Sequence, residues 1–477
     1  MEKAKEKGVK KDISMMEKII SLTKQRGFIF PSSEIYGGFA ATYDFGPLGF
    51  LLKKNIERVW RRWNIESRED MVEIEGAIFM HPKVWEASGH IGGFSDLLVE
   101  DVVTHKRYRA DHLIEEAKIM DNAGALSPEE VDAVIQEHKI KSPDGNALST
   151  AKKFNLLVKT HLGPVEDEST VAYLKGESCQ NIYVDWKSVL ETTRRKLPFG
   201  IAQIGKAFRN EITVKNFIFR TREFEQMDIQ YFCRPDEADS WYEYWKKNRH
   251  DFYVNALGFS ENHIHWRQHD PDERAFYAKD AWDVELHFAE MGFKEVEGVH
   301  HRGNYDLTQH QKFSGTDLSY FDDKTGERFL PYIVECSAGF NRIFLATLFE
   351  FYREEGERKF LALPPRLAPY KAAIFPLLAN KPQLVEKAKS IYEILREGAK
   401  DIDGFMLAWD DRGNIGKRYY SQDEIGTPYC VTVDFDTLGE GEAANKDTVT
   451  VRDRDTGTQE RIAIDKLGEF LHGKIYH

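Results

Sequence analysis

Three arginines stand close together in the middle of the chain, in a polar stretch flanked by apolar, β-favouring residues. The planar guanidinium group can contact phosphate oxygens in pairs, so such a cluster indicates phosphate binding. Arg209 lies two residues before Glu211, and Arg220 lies two residues before Arg222, so each pair would share one face of a strand. We therefore expect two antiparallel strands joined by a long hairpin loop, with the arginines forming a positively charged surface on one face of the strands. Phe224 has the same parity as Arg220 and Arg222, so its ring would lie on that surface, where it could stack on a flat base.

A solvated hairpin held by surface ion pairs is the alternative, because such pairs are common and stabilise a fold little. The sequence strings are more specific than the spacing. FRNE and FRTREFEQMD resemble the second signature motif of class II aminoacyl-tRNA synthetases, in the form found in glycyl-tRNA synthetases. PYIVECSAGFNR resembles the third motif, usually E-P-S-x-G-x-x-R, although Cys336 replaces its proline and Asn341 is a second departure. There we expect a strand that ends at Glu335, a glycine turn, and an apolar helix that begins near Arg342.

The elements that would carry these motifs can be followed from residue 13 onwards. Between residues 13 and 40, glycine and aromatic residues alternate too densely for a helix, so we expect loops and a short strand. Pro47 opens an amphipathic helix whose apolar stripe consists of Leu52, Ile56, Val59, Trp60 and Trp63. VEIEGAIFMHPKVWEASGH predicts a strand and a second helix, and the whole unit resembles the first class II motif. That motif forms the homodimer interface in the family, and PSSEIYGG and YDFGPLG are typical of glycyl-tRNA synthetases, so the resemblance implies a homodimer.

A more polar segment at about 110–165 is predicted to be a mostly helical insertion. Within it, LSPEEVDAVIQEHKI predicts a helix capped by Ser127. Phe154, Leu156 and Val158 recur at every second position, which predicts a strand. Some relatives bind zinc through cysteines in this insertion. This chain has four cysteines, far apart and without a C-x-x-C pair, so we expect no zinc site.

Composition narrows the class of protein. The 477 residues are 41% hydrophobic and 30% charged, which fits two or three domains and includes no apolar run of membrane-spanning length. The net charge of −13 means that an RNA partner must be met through local patches. Residues 1–12 mix Lys with Glu and lack an apolar stretch, so we expect a polar tail and a cytoplasmic protein.

Two histidines raise the question of a metal site. His263 and His265 lie two apart and could ligate a metal, but no third ligand is obvious.

Pro364 and Pro365 end the body that carries the three motifs. Beyond them strand and helix patterns alternate, and IGKRYYSQDEIGTPYCVTVDFDTL and VTVRDRDT resemble the anticodon-binding domain of glycyl-tRNA synthetases. We therefore predict an α+β catalytic domain at 13–366, built on an antiparallel sheet with the insertion, and a separate α/β anticodon-binding domain at 367–477. Four basic residues of the second domain could contact RNA or pair with carboxylates: Lys417, Arg418, Arg452 and Arg454.

The resemblance spans nearly the whole chain and implies a two-step reaction. Glycine and ATP give glycyl-adenylate and pyrophosphate, and the glycyl group then passes to the terminal ribose of tRNA(Gly). The implied catalytic residues are Arg209 and Arg342, and the implied cofactors are ATP and Mg²⁺, with Glu295 beside the metal. The implied ATP-binding residues are Arg209, Asn210, Glu211, Phe219, Arg220, Thr221, Arg222, Glu223, Phe224, Glu295, Val296, Gly339, Phe340, Asn341 and Arg342. The implied glycine-binding residues are Arg109, Glu177, Phe224, Glu225, Gln226, Met227, Asp228, Glu335, Cys336, Ser337, Ala338 and Gly339.

Glycine has no side chain that a protein could contact, so it can be recognised only by its ammonium group, its carboxylate and its small size. The resemblance implies that Glu177, Asp228 and Glu335 surround the ammonium group and that Ser337 lies near the α-carbon. The family's R-P-E-T-A-Q is KGESCQ here, which keeps Glu177 and loses the Arg-Pro pair. Larger amino acids would be rejected by steric exclusion, so no editing domain is expected.

Three other functions fit parts of the sequence. A prolyl or threonyl enzyme of class II would share the general motifs, but not PSSEIYGG, REFEQMD or QDEIGTP. A non-catalytic, RNA-binding paralogue should have lost its catalytic arginines, which are present here. An ATP-dependent metabolic ligase that does not use tRNA would leave the C-terminal strings unexplained.

Overall fold

The structure of the chain is a computed structural model that describes residues 13–120, 123–212, 216–271, 274 and 278–476. The predicted polar tail at 1–12 lies outside the described residues. The central sheet consists of β1 Met71–Glu73, β2 Phe199–Phe208, β3 Glu223–Cys233, β4 Ile264–Gln268, β5 Asp280–His287, β6 Phe293–Gly303 and β7 Tyr332–Gly339. The strand order is β4-β5-β6-β7-β3-β2-β1, and every neighbouring pair is antiparallel except β2 with β1. The predicted antiparallel sheet is confirmed.

One face of this sheet is polar along a continuous row. Residues paired across neighbouring strands share a face, and the row crosses β2, β3, β7, β6, β5 and β4 through Gln203, Asp228, Ser337, Gly298, Asp283 and Arg267. Side chains alternate along a strand, so the adjacent row points to the opposite face. That row is apolar and consists of Ala202, Ile229, Cys336, Val299 and Trp282.

Helices cover both faces of the sheet. The apolar face forms one core with helices Pro47–Arg61, Ala238–Asp251 and Phe340–Phe351. The other face turns apolar at one end, where helix Cys179–Thr193 packs against β2, β3 and β7 through Phe199, Ile201, Phe232 and Ile333. The remainder of that face stays polar and carries a cavity.

The predicted insertion contains helices Ala110–Glu116 and Pro128–Glu137 beside two small sheets. Ser127 caps the second helix as predicted: its Oγ accepts from the Glu130 N–H at 3.2 Å, and the Glu130 carboxylate accepts from the Ser127 N–H at 2.7 Å. The single strand predicted through Phe154–Val158 is wrong. Strands Lys152–Asn155 and Val158–His161 belong to different sheets, because the chain leaves one sheet at the buried Leu156 and Leu157 before joining the other.

The prediction of loops throughout residues 13–40 is wrong in its first half. Met15–Arg26 is a helix, started by a capping box in which Ser14 and Glu17 bond each other's backbone N–H groups. The second half holds the predicted short strand, Ile29–Pro31, which pairs with a further strand beyond this segment, Tyr43–Phe45. The helix opened by Pro47 is confirmed, with Leu52 among its buried residues.

The C-terminal part forms its own five-stranded sheet. Its strands are β8 Ala372–Pro376, β9 Leu407–Trp409, β10 Tyr429–Val433, β11 Thr448–Asp453 and β12 Gln459–Ala463, in the order β9-β8-β10-β11-β12. β8 is parallel to β9 and β10, whereas β11 and β12 are antiparallel to their neighbours. The helices of this part are Pro382–Gly398, Ile415–Glu424 and Leu467–Tyr476. The α/β alternation predicted here is confirmed.

The remaining elements are short, apart from helix Tyr305–Ser314. They include helices Pro82–Ala87 and His90–Gly93, π-helical turns Arg62–Glu66 and Phe252–Leu257, and strands Phe79–Met80, Ser95–Glu100, Arg107–Arg109, Val171–Leu174, Tyr320–Phe321, Arg328–Phe329, Tyr352–Glu355 and Arg358–Leu361. Across the described part of the chain, every helix is too short or too polar to cross a lipid bilayer.

Candidate active site

The predicted hairpin exists, but its arginines do not lie on its strands. β2 and β3 pair continuously from Phe199–Phe232 to Phe208–Glu223, so Arg209, Glu211, Arg220 and Arg222 lie in the connecting loop and not on the strand face that their spacing predicted. Loop residues 213–215 lie outside the described residues.

Local bonds hold the two ends of this loop together. The Arg209 N–H donates to the Arg222 carbonyl at 2.9 Å. Arg220 Nε donates to the Glu211 carboxylate at 2.8 Å, and Arg222 Nε donates to the Glu211 carbonyl at 3.3 Å. Bonds between loop residues therefore place the arginines, rather than strand periodicity.

A cavity of about 320 Å³ opens on the polar face of the sheet. The predicted site residues that line it are Glu177, Arg209, Glu211, Phe219, Arg220, Thr221, Phe224, Gln226, Glu295, Glu335, Ser337, Gly339, Asn341 and Arg342. It is also lined by residues that the sequence did not single out: His90, Phe94, Cys179, Gly298, His300 and Arg302. The cavity thus gathers residues from all the second- and third-motif strings.

One part of the cavity is cationic. The Arg209 guanidinium lies between two rings, 5.1 Å from the centre of Phe94 and 5.3 Å from that of Phe224, and its Nε donates to the Gly176 carbonyl at 3.0 Å. Arg342 Nη1 donates to the Glu295 carbonyl at 2.9 Å and lies 3.3 Å from the Glu295 carboxylate. The charge of Arg342 lowers the pKa of Glu295, so this carboxylate is ionised near neutral pH.

The other part of the cavity is anionic and centres on Glu335. Its carboxylate accepts from Gln230 Nε2 at 2.9 Å, from His300 Nδ1 at 2.8 Å and from Arg302 Nη1 at 2.8 Å. Burial alone would raise the pKa of Glu335, but the charge of Arg302 and the His300 bond outweigh it and lower this pKa to about 2. Arg302 in turn donates twice to Asp306, at 2.8 and 2.9 Å.

Two further carboxylates adjoin Glu335. Glu177 accepts from Gln180 at 2.9 Å and lies 3.2 Å from His90 Nε2; despite its burial, the charge of His90 and this contact hold the pKa of Glu177 well below its usual range. Asp228, a predicted glycine-binding residue, is not among the residues that line the cavity: it is fully buried, and burial together with the charge of Glu335 raises its pKa well above the usual value. The cluster therefore contains two ionised carboxylates and a third that burial disfavours as an anion.

The structure places the other predicted site residues away from the cavity lining. Glu223 pairs with Lys206, and Glu225 pairs with Lys53 at 2.5 Å. Arg109 forms ion pairs with Asp96 at 3.0 Å and with Asp111. Asn210 donates through its backbone to the Leu156 carbonyl at 2.8 Å, and Arg222 donates to the Ala40 carbonyl at 3.1 Å. The side chains that belong to the apolar core instead are Met227, Val296, Cys336, Ala338 and Phe340.

The lining residues missed by sequence reasoning fall into three groups. Gly298, His300 and Arg302 lie two apart on β6, so strand parity alone could have placed them together. Cys179 lies two residues after the predicted Glu177, in the KGESCQ string. His90 and Phe94 lie far away in sequence and reach the cavity through tertiary packing, which no local pattern indicates. The two histidines whose spacing alone could suit a metal contact different carboxylates, His263 with Glu350 and His265 with Glu285.

Three of the four C-terminal basic residues are internal. The Arg418 guanidinium is buried and donates to backbone carbonyls, including that of Gly413 at 2.9 Å. Arg452 forms two bonds with Asp423, at 2.9 and 3.1 Å, and Arg454 pairs with Asp455 at 2.7 Å. These three residues therefore take part in ion pairs and backbone contacts within the protein, whereas Lys417 is exposed.

Comparisons with known proteins agree with this arrangement. Residues 164–352 match the family model described as the tRNA synthetase class II core domain (G, H, P, S and T), and residues 371–474 match the anticodon binding domain. The chain is 46% identical to the glycine–tRNA ligase of Borreliella burgdorferi, over 96% of this chain and 97% of that protein. It is 46% identical to that of Chlorobaculum tepidum, over 96% and 100%, and 44% identical to that of Streptomyces coelicolor, over 96% and 98%.

Proposed function

The chain belongs to the glycine–tRNA ligases of class II, and on that premise we propose that its cavity is where glycine and ATP react before glycine passes to tRNA(Gly). The observation that carries the proposal is the division of the cavity into a cationic part around Arg220 and Arg342 and an anionic part around Glu177 and Glu335. A triphosphate requires cationic groups, and an ammonium group requires carboxylates. One cavity with both parts suits ATP and an amino acid together.

Arg209 stands at the junction of the two parts, because it donates to the carbonyl of Gly176, next to Glu177. We assign it to the α-phosphate and the glycine carboxylate. In the first step a carboxylate oxygen of glycine forms a bond to the α-phosphorus, and the bond from that phosphorus to the bridging oxygen breaks, releasing pyrophosphate. No covalent protein intermediate is needed, so the protein acts by positioning and by neutralising charge.

Arg220 and Arg342 are assigned to the γ-phosphate, Phe224 to stacking on adenine and Glu211 to the adenine end. The terminal ribose hydroxyl of tRNA then attacks the glycyl carbonyl carbon, and AMP leaves. The C-terminal sheet is assigned to the anticodon, which agrees with the domain matched at 371–474.

In the anionic part, Glu177, Asp228 and Glu335 are assigned to the glycine ammonium group and Ser337 to the neighbourhood of the α-carbon. Arg302 forms ion pairs with Glu335 and Asp306, so one guanidinium faces four carboxyl groups here when Glu177 and Asp228 are included. The excess of carboxylates favours a cation in this part of the cavity.

Glu295 suits the Mg²⁺ ion that accompanies ATP. Its side chain is half exposed at the cavity, and its carboxylate oxygens are hard ligands of the kind that Mg²⁺ prefers. In proteins Mg²⁺ is usually held by one or two carboxylates together with substrate phosphates. When bound, Mg²⁺ would neutralise part of the triphosphate charge. Arg342 keeps Glu295 ionised for this task.

The same proposal includes a homodimer, a cytoplasmic location and the domain division at 13–366 and 367–477. Dimerisation is supported by an exposed apolar loop that precedes the first-motif helix, where Ile35 is 87% exposed, Tyr36 86% and Phe39 73%. Light scattering tests it: replacing Ile35 and Tyr36 by serine should shift the wild-type dimer towards monomer. A wild-type monomer at micromolar concentration would refute it.

Amino-acid-dependent exchange between ATP and pyrophosphate tests the reaction. Glycine, alanine, serine, proline and threonine are compared in parallel without tRNA, and exchange is expected with glycine alone. Exchange with another amino acid would assign a different specificity. Absence of exchange with all five, from folded protein that binds tRNA, would identify a non-catalytic paralogue.

A further inference from the structure

We infer that His269, Asp283 and His300 form a binding site for a transition-metal ion of the zinc type, beside the active-site cavity. One ligand atom from each residue lies within 4.8 Å of the other two. Two imidazoles and one carboxylate are ligands that zinc accepts in proteins, whereas Mg²⁺ prefers oxygen ligands alone. The site is therefore distinct in chemistry from the Glu295 position assigned to Mg²⁺. It contains no cysteine, so the cysteine spacing from which the sequence predicted no zinc site does not bear on it.

The sheet brings these residues together from different strands. Asp283 lies on β5 and His300 on β6, while His269 follows β4 and continues its ladder by donating its N–H to the Ala281 carbonyl at 3.0 Å. Ala281 pairs with His300, so both histidines and Asp283 lie on the polar face. His269 Nε2 lies 2.8 Å from Asp283 Oδ2 and contacts it directly. Two ligand atoms of a tetrahedral zinc, each about 2.0 Å from the ion, are about 3.3 Å apart, so metal binding requires this pair to separate by only about half an ångström.

Glu335 and Gly298 orient His300 for this role. Its Nδ1 donates to Glu335 at 2.8 Å, which leaves Nε2 as the metal-binding nitrogen. A carboxylate behind a metal-binding histidine is the usual outer partner of such ligands, because it fixes the ring and its tautomer. His300 Nε2 lies over Gly298, the residue paired with Asp283: a Cβ at position 298 would approach this nitrogen to 2.6 Å. The missing side chain makes room for the ring opposite Asp283.

Arg267 also contacts Asp283, with its Nη2 at 2.7 Å, and its Nε lies 3.3 Å from Glu285. A carboxylate has enough lone pairs to accept from an arginine and to bind a metal ion at the same time. The positive charge of Arg267 works against a divalent ion, and the carboxylate of Glu285 beside it compensates for that charge. Protein ligands occupy three positions, and a water molecule completes a four-coordinate zinc.

The test measures metal bound to the full chain, with zinc alone as the probe. The protein is stripped with a chelator, given zinc, separated by gel filtration and assayed for bound metal by mass spectrometry. One zinc per chain is expected, and its dissociation constant should rise at least about tenfold in His269→Ala, Asp283→Asn or His300→Ala. Gly298→Ala should weaken binding in the same direction, because it displaces the His300 ring.

His265→Ala is the matched control, because His265 lies on β4, bonds Glu285 and is not one of the three proposed metal ligands. It should bind zinc as the wild type does. Cobalt(II) provides a readout that does not depend on stability: its visible absorption in the wild type should indicate nitrogen ligands in four-coordinate geometry and should change in His300→Ala. The proposal is overturned if the stripped wild type takes up no zinc, or if the three ligand variants bind as tightly as the His265→Ala control. Neither result bears on glycine activation.

Discussion

Arg220 donates from its Nε to the Glu211 carboxylate at 2.8 Å, and both side chains line the cavity. Before ATP binds, the charge of Arg220 is thus satisfied within the hairpin loop. A phosphate must compete with Glu211 for this guanidinium, which makes the loop a preorganised cationic site rather than an open patch of charge.

Replacing Arg220 by alanine should lower kcat/KM for ATP by about 10²–10³-fold, the usual loss when one charge-stabilising donor is removed from an active site. Arg220→Lys should recover only a small part, because an ammonium group cannot form the paired contacts of a guanidinium. Glycine-dependent ATP–pyrophosphate exchange measures both. Arg234→Ala is the control: Arg234 pairs with Asp322 and Glu327 outside the cavity, and its loss should leave exchange unchanged. Wild-type exchange by Arg220→Ala would remove Arg220 from ATP binding.

The hairpin also shows how far sequence reasoning reaches. The apolar, β-favouring residues on either side of the polar stretch identified β2 and β3. The loop between them has no such pattern. Arg222 is held by the carbonyl of Ala40, and that contact between distant parts of the chain cannot be read from spacing. The positions of the arginines therefore had to come from the structure, whereas their chemistry was readable from residue type.

Helix Met15–Arg26 was missed for a different reason. The glycine and aromatic residues that argued against a helix all follow it in sequence, and its own start carries a capping box, Ser14 with Glu17. That signal was available and was outweighed by the composition of the neighbouring stretch. His90 and Phe94, by contrast, reach the cavity only through contacts between distant parts of the chain, His90 with Glu177 and Phe94 with Arg209.

Glu335→Gln should destabilise the fold by about 3–5 kcal/mol, because it removes the charge of one member of a buried ion pair and leaves Arg302 less compensated. Urea denaturation at pH 7 measures the change. Glu327→Gln is the matched control: Glu327 also pairs with an arginine, but it is exposed, so its loss should cost about 1 kcal/mol or less. A loss of similar size in the two variants would show that Glu335 is not a structural charge.

The stability difference between wild type and Glu335→Gln should depend on pH in the acid range. The pKa of Glu335 is lowered to about 2 in the folded protein, against about 4.3 for an ordinary glutamate. The unfolded chain therefore binds the proton first as the pH falls. The contribution of the carboxylate is complete above the ordinary pKa and is lost progressively from about pH 4.3 towards pH 2. Denaturation midpoints at pH 6, 5, 4 and 3 should converge for the two proteins, and a constant difference down to pH 3 would contradict this.

Asp228→Asn should stabilise the protein near pH 7 and weaken glycine binding. Burial and the charge of Glu335 raise the pKa of Asp228, so the ionised form is disfavoured in the folded state and the carboxylate costs stability above the ordinary aspartate pKa. A neutral amide of the same shape removes that cost, worth about 1.4 kcal/mol for each unit of pKa shift.

In the same Asp228→Asn variant, the KM for glycine should rise by on the order of tenfold, since about 1.4 kcal/mol of binding to the ammonium group is lost. Asp239→Asn, at an exposed carboxylate, should change neither quantity. Unchanged glycine KM in both Asp228→Asn and Asp228→Ala would remove Asp228 from glycine recognition.

Glu295→Gln should raise the Mg²⁺ concentration needed for half-maximal exchange by on the order of tenfold, because an amide is a weaker ligand than a carboxylate for a hard cation. The substitution also removes the carboxylate that lies 3.3 Å from Arg342, so this arginine becomes more available to phosphate and the KM for ATP at saturating Mg²⁺ should not rise. The two effects separate metal binding from nucleotide binding in one set of exchange assays. Glu243→Gln, at an exposed carboxylate on helix Ala238–Asp251, should leave both quantities unchanged. If the Mg²⁺ dependence of Glu295→Gln matches that of the wild type, the phosphates and water alone hold the metal, and Glu295 serves only to position Arg342.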